Sequence, residues 1–316
     1  MFGKRLLPVY LFTGFLDSGK TSFIRETLLD GQFQDGKTTL LIICEEGEEE
    51  LETELLKKNK MEVRMIEDEE DVSRELLKTF DAEVRPARVI IEENGTWDVR
   101  EIVESFPENW TLGQGIATVD SNTYEMYLSN MKQMMMNQFA YADLVLFNRC
   151  TEEHDRAMFK RTVRAVNKRA QVLYETPDGN VDDEVEEELP YDISADLIEI
   201  GDDDFGIFYL DALDNLEQYE GKTVTFKGQV FHPKRGKEDV FIPGRFAMTC
   251  CADDIAFFGF PCKYGEAKRL RTKEWVKVTA KIGSAMSREY QRRAPVLYAS
   301  VVETTQAAED ELVYFN

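Results

Sequence analysis

Residues 14 to 21 read Gly-Phe-Leu-Asp-Ser-Gly-Lys-Thr, a G-x-x-x-x-G-K-T loop between an apolar run and a stretch with helical spacing. Nothing else in the chain restricts the fold as tightly. Glycines let backbone amides curl around phosphate oxygens without a Cβ in the way. A helix that starts inside the loop adds the partial positive charge of its N-terminus. Gly14, Phe15, Leu16, Asp17, Ser18, Gly19, Lys20, Thr21 and Ser22 are therefore the candidate phosphate-binding residues. Lys20 can bridge terminal phosphates, and the Thr21 hydroxyl can ligate Mg²⁺. Asp17 puts an anion into a loop built for anions, so its side chain must point away from the phosphates or serve the chemistry.

The runs around this loop alternate between strand and helix. Leu6–Phe12, Thr38–Cys44, Arg88–Ile91, Gly115–Val119 and Asp143–Phe147 are short and apolar, as buried parallel strands are. Ser22–Leu29, Val72–Phe80, Met126–Phe139 and His154–Asn167 show helical spacing. The expectation is an α/β fold: a mainly parallel P-loop sheet with helices on both faces. Residues 176–204 are rich in Asp and Glu and read as an acidic connector. From Tyr219 five short strand candidates follow (Thr223–Phe231, Phe241–Cys250, Ala256–Phe260, Trp275–Ile282, Val296–Glu303), which suggests an all-β, OB-like barrel. The expected division is 1–175, 176–204 and 205–316.

The net charge of −23 repels polyanions, so nucleic acid and anionic membrane surfaces are poor partners. A nucleotide must be held by a local positive site. No apolar stretch approaches the ~18 residues needed to span a bilayer, and the chain is expected to be cytoplasmic, without membrane insertion.

A phosphate-transfer site of this kind needs a carboxylate at the end of a neighbouring strand. Glu92 follows Arg88-Val89-Ile90-Ile91 and opens Glu92-Glu93-Asn94-Gly95, an E-x-x-G spacing that places the Gly95 amide to sense a γ-phosphate. With these residues in view the chain resembles the CobW/UreG/HypB family of P-loop GTPases, its CobW branch in particular. Thr13–Ser22 resembles the family's T-G-F-L-G-A-G-K-T-T, and Cys44-Glu45-Glu46-Gly47-Glu48 its N-E-F-G-E first switch. Val119-Asp120 resembles its V-V-D, and Gln138–Asn148 its Q-I-x-x-A-D-x-I-V-L-N. The resemblance spans about Leu6 to Tyr174. It implies GTP hydrolysis with Mg²⁺, a nucleotide-dependent homodimer, and metal delivery to a client protein. Lys20, Thr21, Glu45 and Glu92 are then the catalytic candidates, with Thr21 and Glu92 toward Mg²⁺. The attacking water's base is open among Glu45, Asp17 and Glu93.

Two departures stand out. The family's base-reading N-K-x-D falls on Asn148-Arg149-Cys150-Thr151. Asn148 and Arg149 remain base-contact candidates, but Thr151 cannot replace a bidentate carboxylate. Glu152 or Glu153 is a possible stand-in, and ATP stays open beside GTP. The family's C-x-C-C segment falls on roughly Met61–Glu70, which has carboxylates and no cysteine. These are harder ligands than thiolates.

Gly244-Arg245-Phe246-Ala247-Met248-Thr249-Cys250-Cys251, with Gly259-Phe260 after it, resembles the C-terminal domain of YcgQ-like proteins, which are assigned to a two-part membrane permease. A permease subunit is thus a candidate partner. Cys250, Cys251, Cys262 and His232 could form a thiolate-rich zinc site, and buried core cysteines are the competing reading. Met131, Met134, Met135 and Met136 read as adaptable core or a dimer face. The functional expectation is a metallochaperone-like GTPase with zinc as its metal. The alternative is a nucleotide-gated protein that docks a permease without handling metal.

Overall fold

In the computed structural model, residues 6–29, 34–45, 47, 49, 51–185, 189–233, 238–248, 255–287 and 290–313 are described. The order in the first half is β1 (Leu7–Thr13), α1 (Lys20–Leu29), β2 (Thr39–Ile43), α2 (Thr53–Lys58), β3 (Met61–Met65), α3 (Arg74–Val84), β4 (Arg88–Glu92), α4 (Val99–Glu104), β5 (Trp110–Asp120), α5 (Tyr124–Asn130), α6 (Lys132–Phe139), β6 (Leu144–Asn148), α7 (Arg156–Val166), β7 (Gln171–Glu175) and β8 (Val181–Asp182). The strands form one sheet in the order β3-β2-β4-β1-β5-β6-β7-β8. All pairings are parallel except β7 with β8.

Alternation along β1 explains the two layers. Leu7, Val9 and Leu11 point to one face and pack with Leu77 of α3 and Val99 and Ile102 of α4. Phe12 points to the other face and packs with Ile24 and Leu28 of α1 and Leu55 of α2. The expected parallel sheet with helices on both faces is what the chain forms. β3 adds to the expected strands: Met61–Met65, in the segment that has carboxylates and no cysteine, is an edge strand paired with β2. Its polar alternation hides it from a search for apolar runs.

The second half continues with β9 (Leu197–Glu199), α8 (Phe205–Asp214), α9 (Leu216–Tyr219), β10 (Thr223–Phe231), β11 (Val240–Met248), β12 (Ile255–Gly259), β13 (Cys262–Lys263), β14 (Trp275–Met286), β15 (Arg293–Thr304) and β16 (Leu312–Val313). The sheet order is β12-β11-β13-β15-β14-β10-β9, with β16 on β11 and a further β10–β11 pairing. These pairings curl the sheet back on itself. The link through β13 is only two residues long, so the sheet is not the continuously closed barrel expected.

α8 is predominantly apolar, and eight of its ten residues are buried, Asp211 among them. It is a core helix, which is why no amphipathic stripe announced it. Phe208 packs against Phe226 and Phe260, and Tyr209 stacks on Phe260 at 4.7 Å. The Gly244-Arg245 motif has a packing role. A Cβ at Gly244 would stand 2.1 Å from the Phe258 carbonyl oxygen. The buried Arg245 guanidinium lies over Trp275 and donates to the Asp202 and Asp310 carbonyls.

The contacts divide the chain into two compact units, residues 1–156 with 169–184, and 157–168 with 185–316. Part of the expected connector belongs to the second unit. Leu197–Glu199 pairs in parallel with Thr223–Thr225, and Ile198 and Ile200 sit in that unit's core. Ile198→Ala should therefore destabilise the second unit by about 2–5 kcal/mol. Urea unfolding followed by tryptophan fluorescence reads this, and an unchanged midpoint would show 197–199 to be a plain linker.

Candidate functional site

β1 ends at Thr13, and the chain turns through residues 14–19 into α1, whose first residues are Lys20 and Thr21. The turn needs left-handed backbone at Gly14, Asp17 and Gly19, with φ of 135°, 59° and 97°. Gly19 has no room for a side chain, since a Cβ would stand 2.6 Å from the Asn148 amide nitrogen. Gly95 is equally constrained: its Cβ would lie 2.4 Å from the Gly14 carbonyl oxygen. The loop after β4 is thus pressed against the phosphate loop, which is how Gly95 comes to the site.

The Lys20 ammonium is buried. It donates to the Gly14 carbonyl at 2.6 Å, to the Phe15 carbonyl at 3.0 Å and to Glu45 Oε2 at 2.7 Å. The Thr21 hydroxyl donates to Glu92 Oε1 at 2.5 Å. Ser22 Oγ donates to Glu49 Oε2 at 2.6 Å, and Arg25 lies 3.4 Å from the same carboxylate. Two carboxylates, Glu45 and Glu49, therefore attend the positive end of α1, the place an anion favours. Leu16, Asp17, Gly19 and Arg149 line the same cleft, of about 320 Å³. Asp17 is exposed at the rim of this cleft. Phe15 is buried and stacks on Tyr127 at 4.2 Å, and Ser18 Oγ bonds Thr118 Oγ1 at 2.9 Å.

Burial holds the Glu92 carboxyl above its usual range, against the pull of the Thr21 hydroxyl and the Lys20 charge. Burial raises Glu93 further, with Lys20 opposing. Glu93 is fully buried, and neither carboxyl oxygen has a well-formed hydrogen bond. The buried Cys44 thiol is also pushed up, by burial first and then by Glu93 and Glu92. Thr21 and Glu92 present hard oxygens at one point beside Lys20. A buried carboxylate with little countercharge suits a hard divalent cation such as Mg²⁺.

Gln138 is a further site residue, outside the phosphate loop itself. Its side-chain oxygen accepts the Gly14 N–H at 2.9 Å, its amide donates to the Gly95 carbonyl at 2.9 Å, and its own carbonyl accepts from Thr13 Oγ1 at 3.0 Å. One side chain on α6 thus ties the phosphate loop to the loop after β4. Its position in the Q-x-x-x-A-D stretch was the signal. Asn148 Nδ2 donates to the Ser18 carbonyl at 2.6 Å. Arg149 Nη1 donates to Asp120 Oδ2 at 2.7 Å and to the Asp17 carbonyl at 3.3 Å. The structure brings all the expected nucleotide residues to one end of the sheet.

The zinc expectation fares differently. Cys250 and Cys251 lie outside the described residues. Cys262 is fully buried in the core of the second unit, and burial pushes its thiol up to about 12. His232 Nε2 lies 3.0 Å from the Leu270 carbonyl. Among the described residues, no three His, Cys, Asp or Glu side chains are grouped to hold a metal ion. No described helix is long and apolar enough to cross a membrane.

Residues 8–174 match the family model for the CobW/HypB/UreG nucleotide-binding domain, and residues 176–315 match that of the DUF1980 C-terminal domain. Among solved structures, the chain is similar to a Zn(II)-bound triple mutant of the YjiA GTPase, at 16% identity and a TM-score of 0.43, covering 81% of this chain and 89% of that one. It is also similar to the hydrogenase maturation factor HypB from Archaeoglobus fulgidus, at 14% identity and a TM-score of 0.38, covering 55% and 82%. No curated protein matches the sequence.

Gln138→Leu leaves the Gly14 N–H and Gly95 carbonyl without partners. At roughly 1–3 kcal/mol for each stranded group, it should lower stability by at least about 1 kcal/mol in denaturant titration. Cys262 should stay unmodified by iodoacetamide at pH 8 in the native protein and react only on unfolding, as read by mass spectrometry.

Proposed function

The chain belongs to the CobW/HypB/UreG family of nucleotide-binding proteins, and from that premise we propose that it is a Mg²⁺-dependent GTPase that delivers a metal ion, zinc in the first instance, to a client protein. The observation that carries the hydrolase part is the geometry at the head of α1. There a buried ammonium and a hydroxyl face two carboxylates, Glu45 and Glu92, inside one cleft.

Gly14–Ser22 cradles the phosphates with backbone N–H groups. Lys20 neutralises charge that grows on the transferred phosphoryl. Glu45 pairs with the ammonium at 2.7 Å. A triphosphate carries more charge than a carboxylate and takes its place, which frees Glu45 and makes the first switch responsive to the ligand. Thr21 and Glu92 are the residues that would hold Mg²⁺. Bound there, the ion would supply positive charge against the phosphate oxygens. Gln138 keeps the phosphate loop and Gly95 in register, so that the Gly95 N–H is available to a terminal phosphate. Asn148 braces the loop at Ser18, and Arg149 stands where its stem can lie along a base.

The metal role follows from the family. Cys250 and Cys251 of the second domain are its candidate ligands. The deep burial of Cys262 withdraws it from the candidate zinc ligands, and the second reading is that this domain docks a permease-type partner and takes no metal. Zinc titration separates the two. Stoichiometric sub-micromolar binding that is lost in the Cys250→Ser, Cys251→Ser double variant supports delivery. No binding in any nucleotide state supports docking.

Lys20→Ala should lower GTP turnover by about a hundredfold or more and weaken nucleotide binding, read by phosphate release and calorimetry. Unchanged turnover and affinity would remove the proposed function.

A further inference from the structure

Two clefts meet at the phosphate loop. The first holds Lys20 and Thr21; the second, of about 350 Å³, shares Gly19, Ser22 and Arg149 with it. A ligand whose phosphates sit on Lys20 can therefore run its remaining part into the second cleft without leaving the protein. Apolar walls there come from Phe23 of α1, Leu146 of β6, Leu173 of β7 and Val181 of β8. Val181 is 51% exposed although it is an aliphatic strand residue. Walls of this kind suit a flat ring.

The polar groups of this cleft are mainly acceptors. Glu175 closes β7, whose alternation puts its side chain on the same face as Leu173. Its backbone is pinned beside the base loop, because the Cys150 N–H donates to the Glu175 carbonyl at 2.8 Å. Glu26 lies one turn along α1 from Ser22 and lines the same space. Asn148 is 8% exposed, and its Oδ1 has no donor. The nearby charges are Glu26, which with burial raises the Glu175 carboxyl, and Arg149, which opposes them.

The residue at the family's base-reading position does not compete. The Thr151 N–H donates to His154 Nδ1 at 2.9 Å, and its hydroxyl lies 3.1 Å from the same nitrogen. Glu152 and Glu153 are exposed, and neither lines the cleft. An acceptor-rich slot selects a base edge made of donors. Guanine offers N1–H and the 2-amino group side by side. Adenine offers one amino group next to a ring acceptor, which a carboxylate repels.

We propose that Glu175, supported by Glu26, is the guanine-reading carboxylate of this protein, in place of the one that position 151 lacks. This specificity role deepens the nucleotide-hydrolase reading and rests on it.

The test is calorimetric titration of the full chain with GDP, IDP, XDP and ADP. The wild type should prefer GDP to ADP, with IDP weaker than GDP because it lacks the 2-amino group. Glu175→Gln should weaken GDP by about ten- to a hundredfold, leave ADP within about twofold, and improve XDP, whose 2-keto oxygen accepts from the new amide. Glu175→Asp should keep part of the GDP preference, which separates a recognition role from a structural one. An unchanged GDP-to-ADP ratio in a folded Glu175→Gln variant overturns the proposal, and so does a wild type that prefers ADP. Lys20→Ala should weaken all four nucleotides alike. A wild type that binds none of them removes the nucleotide reading itself, an outcome distinct from failure of Glu175 alone.

Discussion

A single ammonium, enclosed among three oxygen acceptors, organises the first half of this protein. Lys20 is buried in a chain of net charge −23, and its partners are two loop carbonyls and Glu45. A buried charge is tolerable only when paired and hydrogen-bonded. Here the pairing draws the end of β2 toward the head of α1. Without that cation, Glu45 and Glu92 would share a cleft with no countercharge at its centre.

The sheet order decides which residues can gather there. β1 is central, with β4 on one side and β5 on the other. The crossover from β1 through α1 goes to β2, beyond β4, while β5 continues in the opposite direction. The crevice between such diverging connections, at the carboxyl ends of the strands, is where open α/β sheets bind ligands. Glu45 follows β2, Glu92 ends β4, and Asp120 and Asn148 end β5 and β6. Gln138 locks this crevice from the helix side by bonding both the Gly14 N–H and the Gly95 carbonyl. The same edge continues to β7, where Glu175 stands beside the base loop.

The second unit is organised by packing more than by charge. α8 is submerged among strand residues, and aromatic contacts around Phe208, Tyr209 and Phe260 fill its core. Arg245, a conspicuous residue in the sequence motif, turns inward and clamps backbone carbonyls at Asp202 and Asp310. Cys262 is likewise a core residue. Both residues are explained by the fold before any ligand is invoked.

Local chemistry made the first half legible. The loop Gly14–Thr21, the apolar parallel strands and Glu92 at a strand end each follow from short-range rules of spacing and backbone freedom, so the sequence by itself determined a phosphate cradle on an α/β sheet. It did not display β3, where Glu62 and Arg64 alternate with apolar residues, nor α8, most of whose residues are buried, nor the strand within the acidic stretch, because only burial against partners reveals them. The roles of Gln138 and Glu175 were decided by tertiary structure alone. Gln138 acts across 124 residues to reach Gly14, and Glu175 lines one cleft with Glu26 and Arg149 only because β7 and α1 come together in the folded sheet. Sequence fixes what each residue can donate or accept, and the folded chain decides which of those groups come within reach of one another.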